Sequence, residues 1–294
     1  TYKLMTLEYS MKESGSIIEE PIVHLYCRDE TGERHQIDVT GFYPHFLVSE
    51  EEFIMQKENL LSDIRVRYIE SSDELLNARD MMNASIRGVG SAPKQSLHGD
   101  DLVKIYTVEP SDVADLRDMF DTTYEADVFF TNRFLIDTGI RTGFTAPSGA
   151  DTVSIEEIES VSSDSDSDTT VPDVDPRACT VDIEVWSGGQ FPDTDDPKKP
   201  VTAITAYDSY SGEMFSGVLH PDSVVEGDGH SWDEDTCSMI GDEDVTVFDS
   251  ESALLGGFFE FVDKTSPDLL TGWNSSGNGM GSGFDYPYLV NRAE

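Results

Sequence analysis

The chain has 294 residues, enough for two domains of ordinary size, and 37% of them are hydrophobic, enough for a core in each, which excludes a wholly disordered protein. Fifty-nine Asp and Glu against 19 Lys and Arg give a formal net charge of -40, spread along the whole chain rather than confined to a tail. No apolar run approaches the roughly 18 residues of a membrane span, and the opening TYKLMTLEYS has no signal-peptide design, so a soluble cytoplasmic protein is expected.

Such a charge points either to a cationic partner or to a solvent salty enough to screen self-repulsion. At molar salt the Debye length is about 3 Å, so the second reading is preferred and a halophilic source is expected. Cys27, Cys179 and Cys237 form no CxxC or Cys/His metal pattern, which implies a reducing compartment and three buried small side chains. The chain does not open on Met, as expected of a trimmed chain or a fragment.

In chain order, IVHLYC, DETGER and HQIDV between Pro21 and Val39 predict two strands around a polar hairpin turn, and the apolar FYPHFLV follows. LVKIYTV, Leu102 to Val108, predicts a strand. SDVADLRDMF predicts a short helix capped by Ser111 or Asp112, with Val113, Leu116 and Phe120 on one face. From residue 146 to 177 the chain is rich in Ser and Asp with few large apolar residues, the composition of an acidic linker between a first domain, 1–145, and a second, 178–294. Its SDSDSD run lacks the Gly and the final Glu of a calcium loop.

The second domain opens with the strand ACTVDIEVW, continues with VTAITAYD and a hairpin-like SGEMFSGVLH, and then reaches ESALLGGFFEFVD. There Leu254, Phe258 and Phe261 fall at helical spacing. PDLLTGWN predicts a short buried strand, and after a Gly/Ser loop FDYPYLVNRAE predicts an aromatic-rich helix. Strands with a crossover helix predict an α/β sheet, after a first domain of α+β or α/β type.

Residues two apart in a strand share a face, so Asp182 and Glu184 project together while Val181, Ile183 and Val185 take the other side. Two carboxylates so placed suit a hard cation, and converging carboxylates are what a two-metal phosphodiester hydrolase requires. In a chain with 59 acidic residues an Asp-x-Glu triplet also arises by chance and is then an exposed strand face. The setting distinguishes it: an apolar strand at the start of a domain, followed by a strand ending in Asn274 and then by Phe284-Asp285.

DIE in a leading strand, a later strand ending in Asn, and FDYPYLVNRAE resemble the first and second exonuclease motifs of family B DNA polymerases, the archaeal type in particular. LEYS, FYPHFLV and ADVFFTNRFLID extend the resemblance backward over nearly the whole chain apart from the acidic segment. The resemblance implies an RNA-recognition-like α+β first domain and an RNase H-like, mixed-sheet exonuclease domain. It makes Asp182, Glu184 and Asp285 catalytic ligands of two Mg²⁺ or Mn²⁺ ions, and makes Asn274 and Phe284 contacts to the 3′ end of DNA. Asn278 rivals Asn274, because here a longer Gly/Ser loop precedes the Phe-Asp pair than the family carries.

The family's archaeal members hold template uracil in a pocket, and the matching positions here are Tyr9, Pro44, His45, Val113, Val128, Phe130 and Arg133, with His45 where the family usually has Tyr. Read without the resemblance, Val113, Val128 and Phe130 are ordinary core residues. The implied partners are DNA, as primer-template and single-stranded 3′ end, and a sliding clamp. The third exonuclease motif and the palm would lie beyond Glu294, so weak or absent activity is expected of the chain alone. Alternatives of other classes are a non-catalytic template-sensing module, such as a split polymerase subunit, and an acidic mimic of nucleic acid.

Overall fold

A computed structural model describes residues 1–14, 17–70, 75–77, 95–161, 170–220, 244–275 and 283–293. The alternation in IVHLYC becomes a ladder in which Val23, Leu25 and Cys27 are fully buried while Ile22, His24 and Tyr26 are half-buried. These residues lie in β2 (Ile17–Arg28), which pairs antiparallel with β1 (Tyr2–Ser14) and β3 (Arg34–Thr40), as the hairpin reading predicts. At the β2–β3 turn Asp29 accepts from the Thr31 and Glu33 amides, the Thr31 hydroxyl and His35 Nε2, leaving Gly32 to take φ +83°.

A second sheet contains β4 (His45–Ser49), β5 (Val66–Glu70), β6 (Leu75–Asn77), β7 (Leu102–Thr107) and β8 (Thr123–Tyr124), in the order β6-β5-β7-β4-β8. One face packs on α1 (Glu50–Ser62) and α2 (Pro110–Arg117) through Phe46, Val48, Ile69, Ile105, Leu60 and Leu116. The α2 cap differs from the expectation. Glu109 is the N-cap, and the Asp112 carboxylate accepts from the Glu109 amide at 3.0 Å; Pro110, which has no N–H to cap, moves the start forward. Val113 and Leu116 are buried as predicted, with Phe120 packed beside them.

The segment 146–177 is not simply a linker. β10 (Thr152–Ser154) pairs in parallel with β3, and β11 (Glu159–Val161) pairs with β9 (Gly143–Thr145), which itself pairs with β1. Val153, Ile155 and Val161 are buried. Three-residue strands need so few apolar side chains that a Ser/Asp-rich composition conceals them. The chain divides into two units between Val174 and Asp175.

In the second unit β12 (Ala178–Val185), β13 (Val201–Asp208) and β14 (Met214–Leu219) form an antiparallel meander. β15 (Thr246–Phe248) joins β14 in parallel, and after α4 (Glu251–Thr265) β16 (Leu269–Thr271) joins β12 in parallel. The result is a mixed five-stranded sheet, β15-β14-β13-β12-β16. Leu254, Leu255 and Phe258 of α4 cover Val181, Ile183, Ile204 and Ala206, and Tyr288 and Leu289 of α5 (Asp285–Ala293) complete the core. Gly217 permits the close approach of α4, since a Cβ there would stand 2.5 Å from Leu254 Cδ1.

β16 is not buried as predicted. Leu269 and Leu270 are 52% and 47% exposed, because β12 is its one strand neighbour among the described residues. Cys27 and Cys179 are buried as expected, while Cys237 and the SDSDSD run lie outside the described residues. No helix among the described residues is long and apolar enough to cross a membrane.

Candidate active site

Val181 and Ile183 point into the core and Asp182 and Glu184 outward, as the period-two reading requires. The strand holding them is fixed from both sides: Ile183 pairs with Ile204 on β13, and Thr180 with Thr271 on β16. Gly272 follows directly, where a Cβ would stand 2.4 Å from the Val181 carbonyl oxygen. Any side chain there would push Asn274 away from the Asp182 strand.

Asn274 and the second-motif helix meet through the backbone. The Asn274 carbonyl accepts from the amides of Phe284 (2.5 Å) and Asp285 (3.2 Å), and the Ser275 carbonyl from Tyr286 (3.0 Å). The end of the β16 segment thereby occupies donors that open α5, which fixes where Asp285 enters. Further along α5, the Tyr288 hydroxyl donates to the Lys199 carbonyl at 2.6 Å. Arg292 grips Glu251 through Nε (2.8 Å) and Nη2 (2.6 Å). Asn278 lies outside the described residues.

Asp285 is 4% exposed, and its Oδ2 is buried without a hydrogen-bond partner. Burial, reinforced by the Asp182 and Glu184 carboxylates, pushes its pKa up to about 6. The three predicted carboxylates therefore share one electrostatic environment. A divalent cation would satisfy the orphaned Asp285 oxygen and offset the two carboxylates whose charge acts on it. The ligand oxygens of these three do not all lie within 4.8 Å of one another; among the described residues the group that meets that distance is Asp29, Glu33 and His35, where hydrogen bonds of the β2–β3 turn account for the grouping.

The raised Asp285 pKa sets a stability test. Relative to an unfolded value near 3.9, the fold is free of the penalty below about pH 4 and carries it fully above about pH 6, where the buried group ionises. Asp285→Asn is expected to raise the melting temperature by about 3–6 °C at pH 8 in chelator, a gain that fades toward pH 4. Circular dichroism melts at the two pH values measure it, and a gain equal at both would show that the charge is not its source.

One residue near the site carries no sequence signal. Phe191 is 81% exposed in the loop between β12 and β13, yet its ring centroid is 5.1 Å from that of Phe284. With Pro192, Asp193, Thr194, Gly283, Asn274 and Phe284 it lines an open cleft of about 360 Å³. A solvent-facing ring beside predicted 3′-end contacts is a stacking surface. In SGGQFPDTDD nothing periodic marks it out, and an exposed Phe in a Gly/Pro loop was the one available clue.

In the first unit, Tyr9, Pro44, His45, Val113, Val128, Phe130 and Arg133 all line a single cavity of about 440 Å³. Val113 and Phe130 serve the core as well, at 8% and 6% exposure, whereas Val128 is half-buried, so the core reading holds for two of its three residues. Phe130, in α3 (Phe130–Thr138), packs edge-on against Tyr9 at 5.1 Å.

Residues 121–294 match the family model described as DNA polymerase family B, exonuclease domain. Among curated relatives, a DNA polymerase of guinea pig cytomegalovirus is 37% identical over 142 residues, covering 47% of this chain and 12% of the relative. The DNA polymerase delta catalytic subunit of Dictyostelium discoideum is 25% identical over 311 residues, covering 93% of this chain and 26% of its own. The chain thus spans about a quarter or less of these relatives. In fold it is similar to the solved family B DNA polymerase of the hyperthermophilic archaeon Pyrobaculum calidifontis, with a TM-score of 0.62 at 19% identity over 99% of this chain and 32% of that one. Matched by the family model over more than half its length, the chain belongs to DNA polymerase family B and carries that family's exonuclease domain.

Proposed function

We propose that the second unit removes nucleotides from the 3′ end of DNA, with Asp182, Glu184 and Asp285 as ligands of Mg²⁺ or Mn²⁺. The observation that carries this reading is the buried, unpartnered Asp285 oxygen, its pKa raised by burial and further by those two carboxylates. Bound divalent cations would supply an activated water and neutralise charge on the leaving oxygen. The chain's own contribution is placement: β12 presents two carboxylates on one face, the Asn274 carbonyl fixes α5, and Phe191 and Phe284 offer the terminal bases a surface. As part of the same reading, the longer protein extends primer-templates beside a sliding clamp in a salt-rich cytoplasm. There a -40 charge is screened and phosphate neutralisation by Lys and Arg matters less.

Phe191→Ala is expected to weaken binding of a single-stranded 3′ end roughly tenfold, the worth of about one stacked base. It should leave the melting temperature unchanged, because the ring is solvent-exposed. Fluorescence anisotropy with a 3′-labelled oligonucleotide reads this, and unchanged affinity removes Phe191 from the substrate path.

The cavity of the first unit supports a second binding role on the same DNA, a slot for one flat base. Its walls are Tyr9, Pro44, Val113 and Phe130, and Arg117 and Arg133 are the cations beside them. Tighter binding of a uracil-containing oligonucleotide than of its thymine counterpart tests that role.

A further inference from the structure

The cavity carries charges that a slot for a flat base does not need. The His45 side chain is 1% exposed; Nδ1 is 3.0 Å from the Tyr43 carbonyl, and Nε2 is 3.2 Å from Asp137 Oδ2, off hydrogen-bond geometry. Both neighbours are acceptors. A neutral imidazole has one N–H, so it satisfies one of them and turns a lone pair toward the other. The second oxygen of Asp137 lies 3.3 Å from Arg133 Nη1, and that nitrogen also meets Glu125 Oε2 at 2.7 Å. Arg133 is itself 4% exposed in its side chain and lines the cavity, while its Nε and Nη2 are buried donors without partners.

The charged and titratable groups facing His45 are Asp137 and Arg133 from α3, Lys104 and Tyr106 from β7, and Tyr43 from the segment before β4. Glu125 stands behind Arg133. With His45 neutral, the cations Arg133 and Lys104 are matched by the anions Asp137 and Glu125. One proton on His45 leaves the group with a net positive charge and gives Asp137 a second cation. Burial, aided by Lys104, holds His45 below its ordinary pKa against the opposing pull of Asp137.

We propose that His45 is a positioning residue for this cavity: once protonated it draws Asp137 to itself, leaving Arg133 held by Glu125 alone and its guanidinium less neutralised toward an anionic, phosphate-bearing ligand whose base lies against the Tyr9 and Phe130 wall. The inference rests on the reading of the cavity as a nucleotide slot, and the experiment separates the two. Anisotropy of uracil and thymine oligonucleotides is measured with the 294-residue chain in concentrated KCl at constant ionic strength, at about pH 5.5 and pH 8. The uracil oligonucleotide is expected to bind roughly fivefold tighter at the lower pH. His45→Gln and Asp137→Asn should each flatten that response, and Arg133→Gln should weaken binding at both pH values. A uracil preference whose pH response survives in His45→Gln and Asp137→Asn overturns the role of His45 and leaves the slot standing. No preference at either pH overturns both. Should the variants not fold, an NMR titration of the wild-type His45 ring decides: protonation coupled to oligonucleotide binding supports the role, and a ring neutral down to about pH 5 sinks it.

Discussion

Asp182→Ala is expected to lower affinity for Mn²⁺ by about a hundredfold and to cut 3′ to 5′ digestion of single-stranded DNA by about a thousandfold or more, some 4 kcal/mol at the transition state. The reasoning is electrostatic. Asp285 is buried with an unpartnered oxygen, and its charge is costly in that place until a cation offsets it. Removing Asp182 relieves repulsion on Asp285 and lowers the field that attracts the ion, so the Asp285 pKa should fall in the same variant. Concentrated KCl suppresses weak binding to the 59 acidic side chains, leaving the specific site visible to calorimetry. Asp263→Ala, an exposed carboxylate on α4, is the control and should change neither quantity. Equal Mn²⁺ affinity in wild type and Asp182→Ala would remove Asp182 from the ligand set, whatever the level of hydrolysis.

How much of this was legible beforehand depends on how local the determinant is. Asp182 and Glu184 share a face because strands repeat every two residues, and VDIEV states that outright. The helix from Asp285 and the apolar face of α4 were equally open to inspection, being set by spacing within one element. What the chain does across elements was not. The exposure of Leu269 and Leu270 follows from having one strand neighbour, and no property of PDLLTGWN encodes its place in the sheet. β10 exists because the distant β3 accepts it and β11 because β9 does, while their own composition argues for a loop. Glu109 caps α2 although Glu is a weak cap by propensity, since Pro110 sets the first helical position. At the active site, residue identities came from the motif resemblance, whereas the burial of Asp285 and the contact of Phe191 with Phe284 arise on folding.

The same distinction identifies the most sensitive structural position in the second unit, Asp208 at the end of β13. Its side chain is fully buried and accepts from Arg177 Nε and Nη2, both at 2.7 Å, from the Ser211 amide at 2.8 Å and from the Ser211 hydroxyl at 2.6 Å. Arg177 in turn ties three strands at their entry. Its amide donates to Asp268 Oδ2 at 2.7 Å, and its carbonyl accepts from the Asp268 and Leu269 amides. The register that pairs Ala178 with Leu269, and so sets Asp182 against the Asn274 segment, starts from this clamp. Asp208→Ala leaves a largely buried guanidinium without its fork and is expected to cost about 3–5 kcal/mol of unfolding free energy. Arg177→Ala strands the buried carboxylate at similar cost, and the double variant should lose less than the sum of the two. The Arg177 guanidinium, with Ser211, holds the Asp208 pKa far below the usual carboxylate range. For a depressed carboxylate the stabilisation is complete above the unfolded value near 3.9 and is lost as pH falls below it toward the folded value. Wild-type stability of this unit should therefore decline below about pH 4, while the Asp208→Ala profile loses that component. Because the pair is bidentate and shielded from solvent, added salt should screen it far less than the exposed ion pair of Lys264 with Glu213. Urea unfolding across pH and KCl concentration measures all three effects, and an Asp208→Ala loss below about 1 kcal/mol would place the pair among surface ion pairs instead.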